Sequence, residues 1–308
     1  MASTRANVNS HRPSRSRYAT IRGLRYHLRE WGPADAGPER RLFMLHGWMD
    51  VSASFQFVVD ALGPEWHVIA PDWRGFGLSE RTQGDCYWFP DYVADLEFVL
   101  DSVQGAAPAH VIGHSMGGNV ALLYAGARPQ RVRTVVNLEG LGLHASHADQ
   151  APGRFAQWLD ELKAGGSMRD YADRAEVASR LRRNNPRLSP DRAAFLADHW
   201  AEPDGRGRLR VAGDPAHRIV NPVLYRVDEA MACWKAITSP TLMVLAADTD
   251  ALRHVARDRE QALSEVARRF GVVPGAERAT VADAGHMLHH DQPEAVARLI
   301  EDFLRRRG

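Results

Sequence analysis

Four short apolar runs constrain this chain most: "LFMLHG" (42–47), "HVIAPD" (67–72), "AHVIGHS" (109–115) and "TVVNLEG" (134–140). Such runs, without polar alternation, are the pattern of strands buried on both faces. Segments with helical spacing accompany them: "SASFQFVVDALG" after the first, "DYVADLEFVLDSV" before the third and "MGGNVALLYAGARP" after it. The alternation resumes at "TLMVLAAD" (241–248), then "RDREQALSEVARRFG", "ERATVADAG" and "QPEAVARLIEDFLRR". Buried strands alternating with helices predict an α/β fold, a mostly parallel sheet covered on both faces. Upstream, "ATIRGLRYHLREWG" (19–32) alternates apolar and polar residues around Gly23 and predicts an antiparallel hairpin at a sheet edge.

Residues 144–236 break this rhythm. They are rich in Arg, Asp, Ala and Trp, have helical spacing and contain no convincing buried strand. They are expected to form a helical insertion, leaving 18–143 and 237–308 as one core. The first 17 residues, "MASTRANVNSHRPSRSR", hold no acid and no apolar h-region, and are expected to be a disordered basic tail.

The remaining composition excludes several classes of function. A net charge of +1 gives no reason to expect nucleic acid or an anionic membrane as partner. No stretch approaches the roughly 18 continuous apolar residues of a membrane span. Cys86 and Cys233 fit neither a disulfide framework nor a zinc pattern, which suits reduced thiols in a cytoplasmic protein. "HASH" (144–147) lacks further ligands, so no metal or organic cofactor is implied.

In open parallel sheets the reactive groups gather at the carboxyl ends of the strands. There, "GHSMG" (113–117) fits G-x-S-x-G between a predicted strand and a predicted helix, the context of a nucleophile elbow at Ser115. A serine hydroxyl needs a base, and His286 in "DAGHMLHHDQPE" lies just past the last predicted strand. The base needs an acid to fix its tautomer. Asp250 in "LAADTDAL" is preferred because it lies further into its loop, with Glu139 in "NLEGLG" and Asp248 as alternatives. The oxyanion donors are expected to be the backbone N–H groups of Met116, after the nucleophile, and of Trp48 in "LHGWMD". Within the insertion, Trp158, His217 and Trp234 are candidates for the substrate pocket.

At these residues the sequence resembles the α/β-hydrolase superfamily. The matching pieces are "LHGW" (45–48), "PDWRGFGLSE" (71–80), "GHSMGG" (113–118), "PTLMVLAADTDAL" (240–252) and "AGHMLHHDQPEAV" (284–296). The resemblance implies an eight-stranded, mostly parallel sheet with helices on both faces, and a helical cap formed by 144–236. "HGWMDVSASF" together with "GDPAHRIVNPVLYR" (213–226) is most similar to the serine-hydrolase-like subgroup. Superfamily members that open epoxides or remove halides have an aspartate at the elbow, and dienelactone-type members have a cysteine. Serine there implies an acyl-enzyme, so carboxylic esters, thioesters or lactones of small to medium apolar acyl groups are expected. C–C bond hydrolysis, cofactor-free perhydrolysis and a non-catalytic receptor for a small ligand are the alternatives.

Overall fold

The computed structural model describes residues 11–308. In chain order the strands are β1 (Ser14–Ile21), β2 (Leu24–Trp31), β3 (Arg41–Leu45), β4 (His67–Pro71), β5 (Ala109–His114), β6 (Val132–Leu138), β7 (Asp170–Tyr171), β8 (Ala201–Pro203), β9 (Leu209–Val211), β10 (Thr241–Ala246) and β11 (Glu277–Val281). Eight of them form one sheet in the order β1-β2-β4-β3-β5-β6-β10-β11. The first two pairings, β1 with β2 and β2 with β4, are antiparallel; the rest are parallel.

The sheet is sandwiched because successive side chains on each strand point to opposite faces. On β3, Phe43 and Leu45 pack with α2 (Phe89–Gln104), α3 (Met116–Ala127), α7 (Val227–Lys235) and α8 (Arg259–Phe270). Leu42 and Met44 pack on the other face with α1 (Gln56–Ala61) and α10 (Pro293–Arg307). In α10 the buried residues Val296, Ala297, Ile300, Phe303 and Leu304 recur at the spacing of one helical stripe. The last turn of that helix carries the exposed Arg305, Arg306 and Arg307.

The hairpin expected at 19–32 begins earlier, at Ser14, so the expected tail is too long at its C-terminal end. Ser14–Arg17 pair with Leu28–Trp31, yet their side chains are exposed. An edge strand with polar residues on both faces carries no period-two signal. Of the rest of the expected tail, His11 and Arg12 bond Asp60, and residues 1–10 lie outside the described residues.

Between β6 and β10 the chain forms α4 (Ala151–Ala164), α5 (Arg174–Asn184), α6 (Pro190–Trp200) and a three-stranded sheet of order β7-β9-β8. That small sheet corrects the expectation of a wholly helical insertion. Its strands are two or three residues long and mostly partly exposed, too short for a periodic signature. The core also resumes before residue 237. Trp234 and Ala230 of α7 join the main apolar cluster, and a Cβ at Gly126 of α3 would come within 1.9 Å of the Cys233 carbonyl oxygen. Trp234 is 1% exposed, so it serves the core and does not line a pocket.

The insertion closes over the strand ends as a cap. Gly77 N–H donates to Ala212 and Asp214 N–H to the Gly75 carbonyl, at 2.8 and 2.7 Å. His217 lies between the rings of Phe76 and Tyr87, stacked on each at 3.7 Å. This sandwich makes His217 a latch between cap and core, which corrects its assignment to the substrate pocket. Trp158 on α4 is half-buried, with its indole N–H unpartnered among the described residues. Cys86 and Cys233 are free thiols. Among the described residues no helix is long and apolar enough to cross a membrane.

Candidate active site

The turn from β5 into α3 puts Ser115 at φ 52° and ψ −113°, a conformation that disfavours any side chain. Neighbouring glycines permit it by allowing close backbone approach. A Cβ on Gly113 would come within 2.3 Å of the Gly117 carbonyl oxygen, and one on Gly117 within 2.1 Å of that of Leu45. Ser115 N–H donates to Leu138 at 2.8 Å, tying the elbow to the end of β6. The hydroxyl therefore projects from a turn that cannot relax without moving two strands.

His286 follows β11, and its Nε2 lies 3.0 Å from Ser115 Oγ. Its Nδ1 lies 3.2 Å from Glu139 Oε2. A carboxylate can only accept, so Nδ1 carries the proton and Nε2 presents a lone pair to the serine hydroxyl. Glu139 is buried at φ 61°, immediately beyond β6. Asn137 shapes that turn: its amide donates to the Gly140 carbonyl and accepts from Gly140 N–H, both at 2.9 Å. Glu139 also accepts from Ala246 N–H at 2.7 Å and from the Thr249 hydroxyl. These donors supply the hydrogen bonds of a buried carboxyl group facing the imidazole.

This geometry corrects the choice of acid. Asp250 is exposed and pairs with Arg253 at 2.8 Å, and Asp248 is exposed and pairs with Arg187 at 2.7 Å. The loop after β10 instead contributes Thr249, which turns inward to Glu139. The usable signal lay in "NLEG": a buried strand ending in Asn and Glu at one-residue separation, before a glycine.

The second loop at the serine comes from β3. His46 fixes it by donating from Nδ1 to Gly47 at 2.7 Å and accepting Trp73 N–H at Nε2, 2.9 Å. Burial pushes His46 down to about 4, which keeps it neutral for this double role. Gly47 sits against the elbow, where an added Cβ would lie 3.3 Å from the Ser115 Cβ. Among the described residues no acceptor takes the N–H of Trp48 or Met116. The Trp48 side chain is exposed and Met49 takes φ 57°, its carbonyl receiving the Trp200 indole N–H from the cap at 2.7 Å.

Cap side chains also hold the histidine loop. Asp291 accepts Gly285 N–H at 2.8 Å and the Asn185 amide at 2.7 Å, and Arg192 donates to the His290 carbonyl at 2.6 Å. Behind His286 lies a group the sequence reading did not assemble. His114 donates from Nε2 to the His286 carbonyl at 2.8 Å, and its ring lies 4.2 Å from that of His289. His289 and His290 both reach the Ser54 hydroxyl, at 3.2 and 2.6 Å. Burial pushes His290 down to about 3 and His289 well below the ordinary imidazole range, so both are neutral.

A partly buried serine at a strand–elbow–helix turn, paired to a histidine across this sheet order, defines an α/β hydrolase. The sequence matches the α/β hydrolase fold family over residues 40–293, and the chain belongs to that family. Among relatives, it is 28% identical to the serine hydrolase-like protein of Danio rerio over 285 residues, 89% of this chain and 83% of that protein. Its fold is similar to a thioesterase domain from the curacin biosynthetic pathway, with TM-score 0.82 and 24% identity over 94% of this chain and 99% of that one. It is also similar to the hypothetical protein PA1622 from Pseudomonas aeruginosa PAO1, with TM-score 0.81 and 26% identity over 94% and 99% of the two chains.

Proposed function

We propose that this hydrolase cleaves carboxylic esters, thioesters or lactones of small to medium apolar acyl groups through an acyl-enzyme on Ser115. The observation that carries the reading is the continuous line Ser115 Oγ, His286 Nε2, His286 Nδ1, Glu139 Oε2, with steps of 3.0 and 3.2 Å at its two hydrogen bonds. His286 takes the serine proton as Oγ attacks the acyl carbon, and Glu139 steadies the imidazolium that results. The oxyanion of the tetrahedral intermediate is held by the N–H groups of Trp48, in the loop after β3, and of Met116, the first residue of α3. The imidazolium then gives its proton to the leaving alcohol or thiol. In deacylation His286 draws a proton from water, and Ser115 is regenerated.

The serine at the elbow supports acyl chemistry over the aspartate-based reactions of other α/β hydrolases. The relative named as serine hydrolase-like supports the same branch without indicating a substrate. The test is a fluorophosphonate probe followed by turnover on p-nitrophenyl esters and thioesters of graded chain length. Stoichiometric labelling that disappears in Ser115→Ala, with hydrolysis lost in the same variant, is expected. Absence of labelling in folded protein would replace this reading with a non-catalytic ligand-binding one.

A further inference from the structure

The turn after β3 and the helix α9 (Leu288–Asp291) bring three metal-ligating side chains together beneath the catalytic histidine loop. One donor atom each from Asp50, His289 and His290 lie within 4.8 Å of one another, and all three residues are buried. Asp50 Oδ2 lies 3.9 Å from His289 Nε2. The Ser54 hydroxyl touches both imidazoles at Nε2, so these two nitrogens converge on one point.

As a hydrogen-bond network this group is incomplete. Ser54 serves both imidazole Nε2 atoms, donating its proton to one and accepting the N–H of the other, so the gap lies beyond it. Asp50 Oδ2 and His289 Nδ1 are buried without a partner among the described residues. A carboxyl oxygen buried without a partner is disfavoured, so its retention beside two convergent imidazoles calls for an explanation. The rings of Phe55 and Phe57, 5.4 and 5.8 Å from His289 and His290, wall the group with apolar surface.

We propose that Asp50, His289 and His290 bind a divalent transition-metal ion, with the Ser54 hydroxyl or a water as fourth donor. Two neutral imidazoles and one carboxylate form a donor set suited to zinc or cobalt(II). Bonds of about 2.0–2.2 Å put tetrahedral donors about 3.3 Å apart, so spacings that lie within 4.8 Å need to close by at most ~1.5 Å. The bound ion supplies the missing partner of Asp50 Oδ2. It also pins α9, and with it the segment carrying His286, to the turn that carries Trp48.

The experiment uses the full chain, stripped with a chelator and titrated with Co²⁺, reading the visible d–d absorption of the bound ion. One equivalent is expected to saturate the signal, Zn²⁺ to displace it, and Zn²⁺ to raise Tm by about 5 °C at a hundredfold excess over Kd. Asp50→Asn and His290→Gln are each expected to weaken binding by about tenfold or more. Ser115→Ala, which abolishes the proposed hydrolysis, is expected to bind Co²⁺ as the parent does, so the result is independent of that reading. Equal absorption in the parent and in folded Asp50→Asn and His290→Gln overturns the site, as does loss of binding in His144→Ala. If those variants do not fold by circular dichroism, zinc-edge absorption of the parent decides: two imidazole ligands support the site, and fewer overturn it.

Discussion

The two ends of the Ser115–His286–Glu139 line are held by different means. At the serine end, the elbow is fixed by main chain against main chain, with Gly113, Gly117 and Leu45 at distances that admit no side chain. At the histidine end, the loop after β11 is fixed by side chains, several of them from the cap: Asn185 through Asp291, and Arg192 on the His290 carbonyl. Close-packed backbone leaves no slack, whereas long polar side chains can exchange partners with water. Ser115 is thus held by the core alone, and His286 is positioned jointly by core and cap.

The largest expected effect probes the carboxylate that links the two ends. Glu139→Gln should lower kcat by about 10³–10⁴-fold, because a neutral amide no longer selects the Nδ1–H tautomer or stabilises the imidazolium. Asp250→Asn, measured in parallel on the same ester, should stay within about twofold of the parent. The reverse order would return the acid to the loop after β10.

A smaller effect distinguishes the cap's hold from mere stability. Asn185→Ala and Asp291→Asn should lower kcat by about tenfold with KM little changed, since they loosen His286 while the serine end is intact. Fluorophosphonate labelling should still reach completion, only more slowly. Equal losses from substitutions in the cap that avoid this loop would erase the distinction between the two ends.

The smallest effect concerns the latch. Burial between Phe76 and Tyr87 pushes His217 down to about 3, so the latched state favours the neutral ring. Tyr92 approaches its Nδ1 at 3.3 Å, and the carboxylate of Asp214 is engaged by Tyr87. A folded value below the ordinary 6.5 means that the latch contributes fully above pH 6.5 and is lost progressively as pH falls toward 3. Hydrogen exchange of residues 213–218, corrected for intrinsic rates, should show opening that rises toward tenfold per pH unit below 6.5. His217→Phe keeps the stacking and should abolish that slope.

The comparison also explains what was legible in the sequence. The elbow is local: strand, serine, glycines and helix are contiguous, so the main chain that builds it is written in one stretch. The parallel sheet was readable for the same reason, since burial on both faces leaves unbroken apolar runs such as "LFML" and "HVIA". The acid was not, because Glu139 and Asp250 occupy equivalent strand-end turns, and only the left-handed turn braced by Asn137 sends one of them inward. His217 and Trp234 were misread because an aromatic in a cap sequence carries no mark of whether it faces ligand or core. The Asp50–His289–His290 group was equally hidden, since its halves lie more than 200 residues apart and meet only where α9 packs beneath the turn after β3.

That the carboxylate sits after β6 has a consequence for biosynthesis. Ser115 and Glu139 leave the ribosome close together, before any of the cap, whereas His286 emerges only after all of it. A nascent chain can therefore hold a shaped but unactivated serine throughout synthesis of the cap. The proposed acyl chemistry becomes available only when β11 and α10 complete the far edge of the sheet.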